Sequence, residues 1–282
     1  MKLLVIFHIY YHNQVDWFVD RMRSINGCSW DLKVTFSQED DATIDKIRNL
    51  KPDAEFIKVG NNGYDVLPFI NVLKNTDLAP YDCIMKLHTK NVDKASSIKL
   101  NGIRLSGEMW RDFLVNSMLK SQKQFTKCLK RFENNETGMV CCEELHVALT
   151  RRRPEDMSLL EKETTRIGFH TKRGRFCAGT MFMVRPACLE KVISADFSNS
   201  EWCSGASHIK GTLAHVYERI LSIAVIDAGY RCDTIAAYKS NIPRVFIHKR
   251  ISPALKQIFT FDRYGEDARK CLVIFGCRIM LE

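Results

Sequence analysis

From Lys2 to Met85, short apolar runs alternate with helical patterns. The predicted strands are Lys2–Ile9, Asp31–Ser37, Ala54–Val59 and Tyr81–Met85. Lys2–Ile9 is apolar along nearly its whole length, which is typical of a strand buried on both faces of a parallel sheet. Between the strands, apolar residues recur at helical spacing, as in Val15–Ser24. This alternation predicts an α/β fold in which helices flank a mostly parallel sheet.

The composition indicates a folded and basic protein. Of the 282 residues, 45% are hydrophobic and 27% are charged, which suits one large domain or one domain with a small appendage. The 11 cysteines lack the spacing of a zinc site and indicate reduced thiols. The formal net charge of +9 favours an anionic partner: nucleic acid, a phosphorylated small molecule or an anionic membrane surface. No apolar run is long enough to predict a membrane-spanning helix, and the N-terminal run is predicted as a core strand and not a signal peptide.

Three basic residues follow one another at the end of the fourth predicted strand. Side chains alternate between the faces of a strand, so Lys86, His88 and Lys90 are predicted to point to the same side. In open α/β sheets, ligands bind at the carboxyl ends of the strands. The pattern therefore predicts a site for an anion such as a diphosphate, and an edge strand protected by solvated lysines is the alternative.

The loop Gly60–Asp65 joins the third predicted strand to the predicted helix Val66–Lys74. Gly60 and Gly63 permit positive φ angles and the close approach of a ligand to the backbone. Asp65 occupies the position of a helix N-cap. The loop is therefore a candidate ligand-binding loop, and a capped turn without further function is the alternative.

Two later segments offer candidate chemistry. The predicted strand Phe176–Val184 contains Gly179, where an acceptor could approach the backbone or where elements could pack tightly. In the predicted helix Leu213–Ala228, His215 and Glu218 lie on one face. A carboxylate beside a histidine can act as a general base, and an ion pair on the helix surface is the alternative.

The remaining segments have weaker patterns. Asn91–Gly107 is predicted to be a flexible polar segment, and Glu108–Phe132 one long helix with a basic face. Glu143–Gly174 is predicted to be a long loop over one face of the sheet, of the kind that often forms a lid. Cys271–Leu281 is predicted to be a last strand or an amphipathic surface element.

Five short patterns occur in a fixed order along the chain. They are Asn61-x-Gly63-x-Asp65 with Pro68-Phe69, Lys86-x-His88-Thr89-Lys90, Gly107-Glu108-x-Trp110-Arg111, Phe176-x-Ala178-Gly179-Thr180-Met181-Phe182, and Gly211-Thr212-Leu213-Ala214-His215 with Glu218-Arg219. Together, over about residues 1–230, they resemble the rhamnan synthesis protein F family of bacterial polysaccharide glycosyltransferases. Tyr64 stands where this resemblance would place a basic residue.

The resemblance implies a GT-A-like domain over residues 1–235. Residues 236–282 lie beyond the resemblance and are expected to form a basic and apolar C-terminal extension packed on that domain. The implied donor is a nucleotide-diphosphate sugar, with L-rhamnose favoured. The implied acceptor is a polyprenyl-linked saccharide in the synthesis of O-antigen or rhamnan, and inversion by direct displacement is expected. The expected location is the cytoplasm, and the net charge adds peripheral attachment to the inner face of the plasma membrane as a hypothesis.

For this chemistry, we assign roles to individual residues. The donor-binding residues are expected to be His8, Asn61, Gly63, Asp65, Lys86, His88 and Lys90. The acceptor-side residues are expected to be Trp110, Arg111, Gly179 and Thr180. Glu218 is the favoured base, with His215 beside it and Asp65 as the second candidate.

The sequence contains no Asp-x-Asp motif, the element with which most GT-A enzymes hold a divalent metal. We therefore expect Lys86, His88 and Lys90 to stabilise the leaving diphosphate in place of a metal. A divalent metal, Mg²⁺ or Mn²⁺, is the alternative.

Two other classes of protein fit parts of the sequence. The first is a non-catalytic module on the same fold that binds carbohydrate or nucleotide. The second is a basic nucleic-acid-binding protein. The aromatic residues lie at core spacings and are not interleaved with lysines as stacking platforms, so no nucleic acid partner is expected.

Overall fold

A computed structural model describes residues 1–93, 98–149, 154–170, 174–197, 200, 202, 212–251, 259–264, 269–274 and 277–280. Its strands, in chain order, are β1 (Lys2–Ile9), β2 (Ser29–Phe36), β3 (Glu55–Lys58), β4 (Cys83–His88), β5 (Ile98–Leu100), β6 (Ile103–Leu105), β7 (Thr137–Cys142), β8 (His146–Ala148), β9 (Arg175–Cys177), β10 (Phe182–Val184), β11 (Arg231–Ile235), β12 (Phe259–Tyr264), β13 (Arg269–Ile274) and β14 (Cys277–Met280). Its α-helices are α1 (Val15–Met22), α2 (Asp41–Leu50), α3 (Val66–Lys74), α4 (Gly107–Leu119), α5 (Gln122–Arg131), α6 (Pro154–Ile167), α7 (Glu190–Ser194), α8 (Leu213–Asp227) and α9 (Ile242–Phe246). A turn of π-helix, Ile247–Ile251, continues α9.

The central sheet has seven strands in the order β3-β2-β1-β4-β10-β7-β11. Strand β10 is antiparallel to both of its neighbours, β4 and β7, and the other neighbouring pairs are parallel. The carboxyl ends of β1, β4, β7 and β11 therefore lie at one edge of the sheet, which we call the carboxyl edge. The predicted α/β class, with a mostly parallel sheet flanked by helices, is confirmed.

Helices cover both faces of this sheet. Phe7 on β1 packs against Phe18 on α1, with 4.9 Å between the ring centroids. Lys86 pairs in register with Ile6 and Phe182, so these three side chains share the opposite face, where Phe182 contacts Phe69 of α3. Burial on both faces explains why β1 is apolar along its length.

The predicted helix over Glu108–Phe132 is two helices in the structure, α4 and α5. The break occurs at Ser121, whose hydroxyl accepts a hydrogen bond from the backbone N–H of Gln124 at 3.3 Å. Ser121 thus caps a second helix in place of continuing the first.

Two predictions about connecting segments are also wrong. Asn91–Gly107 contains the β-hairpin β5–β6, whose turn residues Asn101 and Gly102 both have positive φ angles. Such a turn matches the twist of two antiparallel strands, and Asn-Gly is its strongest sequence signal. Glu143–Gly174 contains β8, which pairs with β9, and helix α6. Residues 94–97 of the first segment, and residues 150–153 and 171–173 of the second, lie outside the described residues.

The predicted strand Phe176–Val184 is divided between two sheets. Strand β9 pairs with β8, whereas β10 pairs with β4 and β7 in the central sheet. Between them, Gly179 has a φ of 97° and Thr180 a φ of 50°, values that no regular strand adopts. The segment Cys271–Leu281, predicted to be a last strand or an amphipathic surface element, contains β14 and most of β13, in an antiparallel sheet with β12. Residues 275, 276 and 281 lie outside the described residues.

The segment after β11 is held at the carboxyl edge by Glu144, which is fully buried. Its carboxylate accepts hydrogen bonds from the backbone N–H groups of Ala237 at 3.0 Å and Tyr238 at 3.1 Å. The side-chain amide of Asn241 approaches the same carboxylate at 3.4 Å. One carboxylate therefore fixes the path of the chain from the central sheet to α9.

We predict that Glu144→Ala lowers the free energy of unfolding by about 2–4 kcal/mol, because it leaves the buried N–H group of Ala237 and the half-buried N–H group of Tyr238 without their acceptor. Urea denaturation followed by circular dichroism measures the change. Glu136→Ala is the matched control, since the Glu136 side chain is 74% exposed. Equal unfolding midpoints for the two variants would contradict the assigned role of Glu144.

Candidate functional site

Segments far apart in the sequence meet on one face of the sheet at the carboxyl edge. Strand β4 contributes Lys86 and His88, which point to the same face as predicted from their spacing. The loop before α3 contributes Asp65, and the turn between β9 and β10 contributes Thr180. Helix α8 contributes Glu218 beside that turn. The structure thus brings together residues of four of the sequence patterns.

The centre of the site is an ion pair between the ammonium of Lys86 and the carboxylate of Asp65. The Lys86 side chain is 1% exposed and that of Asp65 18% exposed. The hydroxyl of Thr180 donates to Asp65 Oδ2 at 2.7 Å and accepts from Lys86 Nζ at 3.1 Å. His88 Nε2 lies 3.6 Å from the same carboxylate oxygen. Lys86, Asp65 and Thr180 therefore satisfy one another in the protein interior.

The surroundings of Asp65 keep its carboxylate ionised. Burial alone would raise the pKa of this carboxyl, but His88, Lys86 and the hydrogen bonds from Lys86 and Thr180 hold the pKa well below its usual range. A carboxylate with so low a pKa is a weak proton acceptor. The geometry thus suits Asp65 for balancing the charge of Lys86 better than for acting as the base.

Two histidines stand side by side on β1 and β4, where His8 pairs in register with His88. Burial lowers the pKa of His8 to about 4, so this imidazole is neutral at neutral pH. Its Nδ1 lies 2.9 Å from the hydroxyl of Thr35. Burial also lowers the pKa of His88, and Asp65 opposes that shift. The ring nitrogens of His88 lie 2.9 Å from the carbonyl oxygen of Thr89 and 2.8 Å from that of Gly179, which fixes the ring.

The turn that presents Thr180 is strained and is supported on several sides. A positive φ is uncommon for a β-branched residue such as Thr180. The indole N–H of Trp110 donates to the carbonyl oxygen of Ala178 at 3.2 Å, and the N–H of Gly179 donates to Glu218 Oε1 at 2.6 Å. A Cβ atom on Gly179 would lie 2.7 Å from Trp110 Nε1, so only glycine fits. Strain of this kind is typical of functional sites.

The glycine of the loop before α3 is also needed for packing. Gly63 has a φ of 67°, and a Cβ atom there would lie 2.7 Å from Trp202 Cε3. Asp65 occupies the N-cap position of α3, but its side chain makes no capping hydrogen bond and turns to Lys86 instead. Asn61 is exposed at the start of this loop. The loop therefore aims Asp65 at β4.

The first turn of α8 borders the site. Thr212 caps the helix, and its hydroxyl lies 2.8 Å from His215 Nδ1. The His215 ring lies 5.8 Å from the ring of Tyr64 in the loop before α3. Glu218, one turn later and partly exposed, is oriented by its bond to Gly179. Gly211 of the same sequence pattern lies outside the described residues.

The remaining predicted residues lie at different distances from this centre. The Lys90 ammonium is 4.2 Å from the centroid of the Trp110 ring, which places both beside the strained turn. Arg111 is directed elsewhere, because its guanidinium stacks over Trp17 of α1 at 4.1 Å and pairs with Asp112. The structure therefore unites Lys90 and Trp110 with the site but not Arg111.

Two residues that support the site are not among the sequence predictions. The hydroxyl of Thr89 accepts hydrogen bonds from the backbone N–H groups of Tyr10 and Tyr11, both at 2.9 Å. The side chain of Gln14 bonds to the backbone of Lys90 on both its N–H and its carbonyl group. These contacts join the ends of β1 and β4. Thr89 lies inside the Lys-x-His-Thr-Lys pattern, which was the available signal, whereas nothing in the sequence marks Gln14.

Two features are missing from the part of the chain that the structure describes. Within it, no group of three or more His, Cys, Asp or Glu side chains is arranged to hold a metal ion. Nor does any helix there combine the length and apolar character needed to cross a membrane.

Sequence comparisons match most of the chain. A family model described as rhamnan synthesis protein F matches residues 1–230. The protein WxcX of Xanthomonas campestris pv. campestris, described as uncharacterized, is 25% identical over 237 residues in each of two strains. The match covers 82% of this chain and 32% of WxcX, so the chain spans about a third of the length of these relatives.

Comparisons with solved structures give more distant similarities. The mannosyltransferase PcManGT from Pyrobaculum calidifontis, in complex with GDP-Man and Mn²⁺, is 11% identical with a TM-score of 0.42. The match covers 83% of this chain and 54% of PcManGT. Residues 1–349 of TarS from S. aureus are 10% identical with a TM-score of 0.44, over 84% of this chain and 58% of that one.

We predict that Asp65→Asn flattens the acid dependence of stability. Because folding lowers the pKa of Asp65, its stabilisation is fully present above the unfolded-state pKa of about 4 and is lost as the pH falls below that value. At about pH 7 the variant should lose about 3–5 kcal/mol, since Lys86 stays buried without its partner. Urea denaturation at a series of pH values between about pH 7 and about pH 3 measures both effects.

Two further variants control this measurement. Asp20→Asn changes a carboxylate that is 68% exposed and should leave stability within about 0.5 kcal/mol of the original. Replacing both partners, as Asp65→Asn with Lys86→Met, should recover part of the lost stability, because no unpaired charge remains buried. Parallel pH profiles for the original protein and Asp65→Asn would show that Asp65 does not have the assigned role.

Proposed function

Because the chain belongs to the rhamnan synthesis protein F family, we propose that it is a glycosyltransferase. It transfers a sugar from a nucleotide-diphosphate donor to a saccharide acceptor. The observation that carries this proposal is the convergence of Asp65, Lys86, Thr180 and Glu218, from four patterns spread along the matched region, at the carboxyl edge. Ligands of open α/β sheets bind at that edge.

On the donor side, the Asp65–Lys86 pair has a structural role and Lys90 contacts the donor. The charge of Lys86 is balanced by Asp65 inside the protein, so this pair contributes little net positive charge. Lys90 lies further along the same strand direction, partly exposed and beside Trp110. We assign Lys90 to the diphosphate and Asn61, at the rim, to the nucleoside. His8, Gly63 and His88 shape the floor on which the donor lies.

On the acceptor side, Glu218 is the base. In a direct displacement, Glu218 takes the proton of the acceptor hydroxyl while the acceptor oxygen bonds to the anomeric carbon of the sugar. The bond from that carbon to the diphosphate oxygen breaks, and the nucleoside diphosphate leaves with the electron pair. The anomeric configuration is inverted. The hydrogen bond from Gly179 orients the carboxylate for this step, and His215 stands one turn away on the same helix.

The finer assignments follow from the family resemblance. The sugar is L-rhamnose, and the acceptor is a polyprenyl-linked saccharide in the synthesis of O-antigen or rhamnan. The reaction takes place at the cytoplasmic face of the membrane. Trp110 and the turn at Gly179 and Thr180 border the acceptor, whereas Arg111 supports α4 through its contact with Trp17.

We predict that one nucleoside diphosphate, and not its monophosphate, raises the thermal midpoint of the protein by a few degrees. Binding to the native state alone stabilises it by about 2.7 kcal/mol at a ligand concentration 100 times the Kd. The measurement is thermal denaturation with thymidine, uridine and guanosine diphosphates, each with excess EDTA and with added Mg²⁺ or Mn²⁺. If cationic side chains take the place of a metal, the shift persists in EDTA.

Lys90→Gln should reduce this shift, and Lys33→Gln, which changes a lysine on β2 paired with Glu55, is the matched control. If the shift in the thermal midpoint requires the divalent ion, the assignment of metal-independent donor binding is wrong and the assignment of the donor site still holds. The absence of a shift with every nucleotide would contradict the proposed donor class.

We predict that Glu218→Gln lowers kcat by about 10²–10⁴-fold with little change in the KM for the donor. Glutamine keeps an oxygen that can accept the hydrogen bond from Gly179, so the turn should keep its geometry. Release of the nucleoside diphosphate, with the donor identified by thermal shift, measures turnover. Glu190→Gln, an exposed change on α7, is the control. Turnover close to that of the original protein would exclude Glu218 as the base.

A further inference from the structure

Large apolar side chains are exposed along the helix formed by α9 and its π-helical continuation. The exposed fractions are 48% for Ile242, 55% for Phe246, 50% for Ile247 and 41% for Ile251. Pro243 between them is also exposed. Single exposed apolar residues are ordinary, but a cluster of this kind within ten residues marks a contact surface.

The outward direction of this helix is fixed by its inward contacts. Val245 is 1% exposed, and the ammonium of Lys249 donates to the carbonyl oxygen and to Oε1 of Glu143, both at 2.9 Å. Val245 and Lys249 are four residues apart and share the inward face. The apolar side chains therefore face outward because the opposite face is bound to the end of β7.

A basic groove of about 1160 Å³ adjoins the exposed apolar residues. Its lining includes Ile242 and Phe246 of the helix. The lining also includes eight Lys and Arg side chains and one carboxylate, that of Glu143, which already pairs with Lys249. The eight are Lys120, Lys127, Lys130, Arg131, Arg175, Lys239, Lys249 and Arg250. The groove is therefore strongly positive beside an apolar ridge.

We propose that the helix Ile242–Ile251 and this groove form a docking surface for an anionic phospholipid membrane. Apolar side chains of such a helix insert at the boundary between headgroups and acyl chains, and lysines and arginines beside them attract anionic headgroups. A second copy of the chain fits less well, because a twofold contact through this face would bring the two basic grooves together.

The position of the surface has a consequence for sugar transfer, and this part rests on the proposed function. Strands β7 and β11 lead into the docking surface from the same carboxyl edge at which β4 leads into the site. Docking would bring this edge towards the membrane, where a lipid-linked acceptor is anchored. The surface itself is separate from Asp65 and Glu218, so membrane binding can be measured without donor or acceptor.

The test is sedimentation of the full chain with vesicles of phosphatidylcholine alone and with roughly 30% phosphatidylglycerol, at low and high salt. We expect binding to the anionic vesicles only, weakened by salt. Phe246→Ser with Ile247→Ser should weaken binding at least about tenfold, because two inserted side chains are lost. Lys127→Gln with Lys130→Gln should weaken it about fivefold for each charge removed.

Matched controls separate these effects from general changes in charge or exposure. Ile98→Ser changes an apolar residue that is 41% exposed on β5, and Lys46→Gln with Lys58→Gln removes two distant charges. Both controls should bind as the original protein does. Failure of the original protein to sediment with anionic vesicles, or equal binding by all variants, would overturn the proposal. So would a dimer in sedimentation equilibrium that the Phe246→Ser and Ile247→Ser changes disperse.

Discussion

The ammonium of Lys86 lies almost fully inside the protein, where an unpaired charge would cost several kcal/mol. The carboxylate of Asp65, joined to it by the Thr180 hydroxyl, balances that charge. These three side chains come from a strand, a loop and a turn that are distant in sequence. Their mutual dependence therefore requires β4, the start of α3 and the turn before β10 to keep one relative arrangement.

The same requirement explains why the turn before β10 is strained. Thr180 reaches Asp65 only because the backbone adopts a left-handed conformation at two successive residues. Trp110 and Glu218 hold this conformation through hydrogen bonds to Ala178 and Gly179. Glu218 thus supports the turn and is also the base that we propose. A single carboxylate links the stability of the turn to the chemistry that we propose for it.

Much of the architecture could be predicted because the spacing of apolar residues in the sequence follows from the repeat of each strand or helix and from which of its faces are buried. The apolar Lys2–Ile9 run and the alternation of Lys86 and His88 both gave correct geometry. The division at Gly179 could not be predicted, since Phe176–Val184 is apolar throughout and only its partners in two sheets reveal the break. The partners of Asp65 could not be predicted either. An aspartate just before α3 can cap the helix or pair with a buried lysine, and the sequence is the same in both cases. The hairpin at Asn101-Gly102, by contrast, could have been predicted from its Asn-Gly turn. The polar residues around it led to the prediction of a flexible segment instead.

The end of β7 connects α9 and its π-helical continuation to the central sheet that contains the candidate site. Glu143 binds Lys249 and Glu144 binds the backbone after β11, so two consecutive carboxylates fix α9 and its continuation against the sheet. Strand β7 is separated from β4 by β10 alone, which at the usual spacing between strands is a distance of about 10 Å. A helix fixed to the end of β7 would keep any surface it contacts in a fixed position relative to the site. Glu143 and Glu144 therefore fix the position of the proposed docking surface relative to the sheet that carries Lys86.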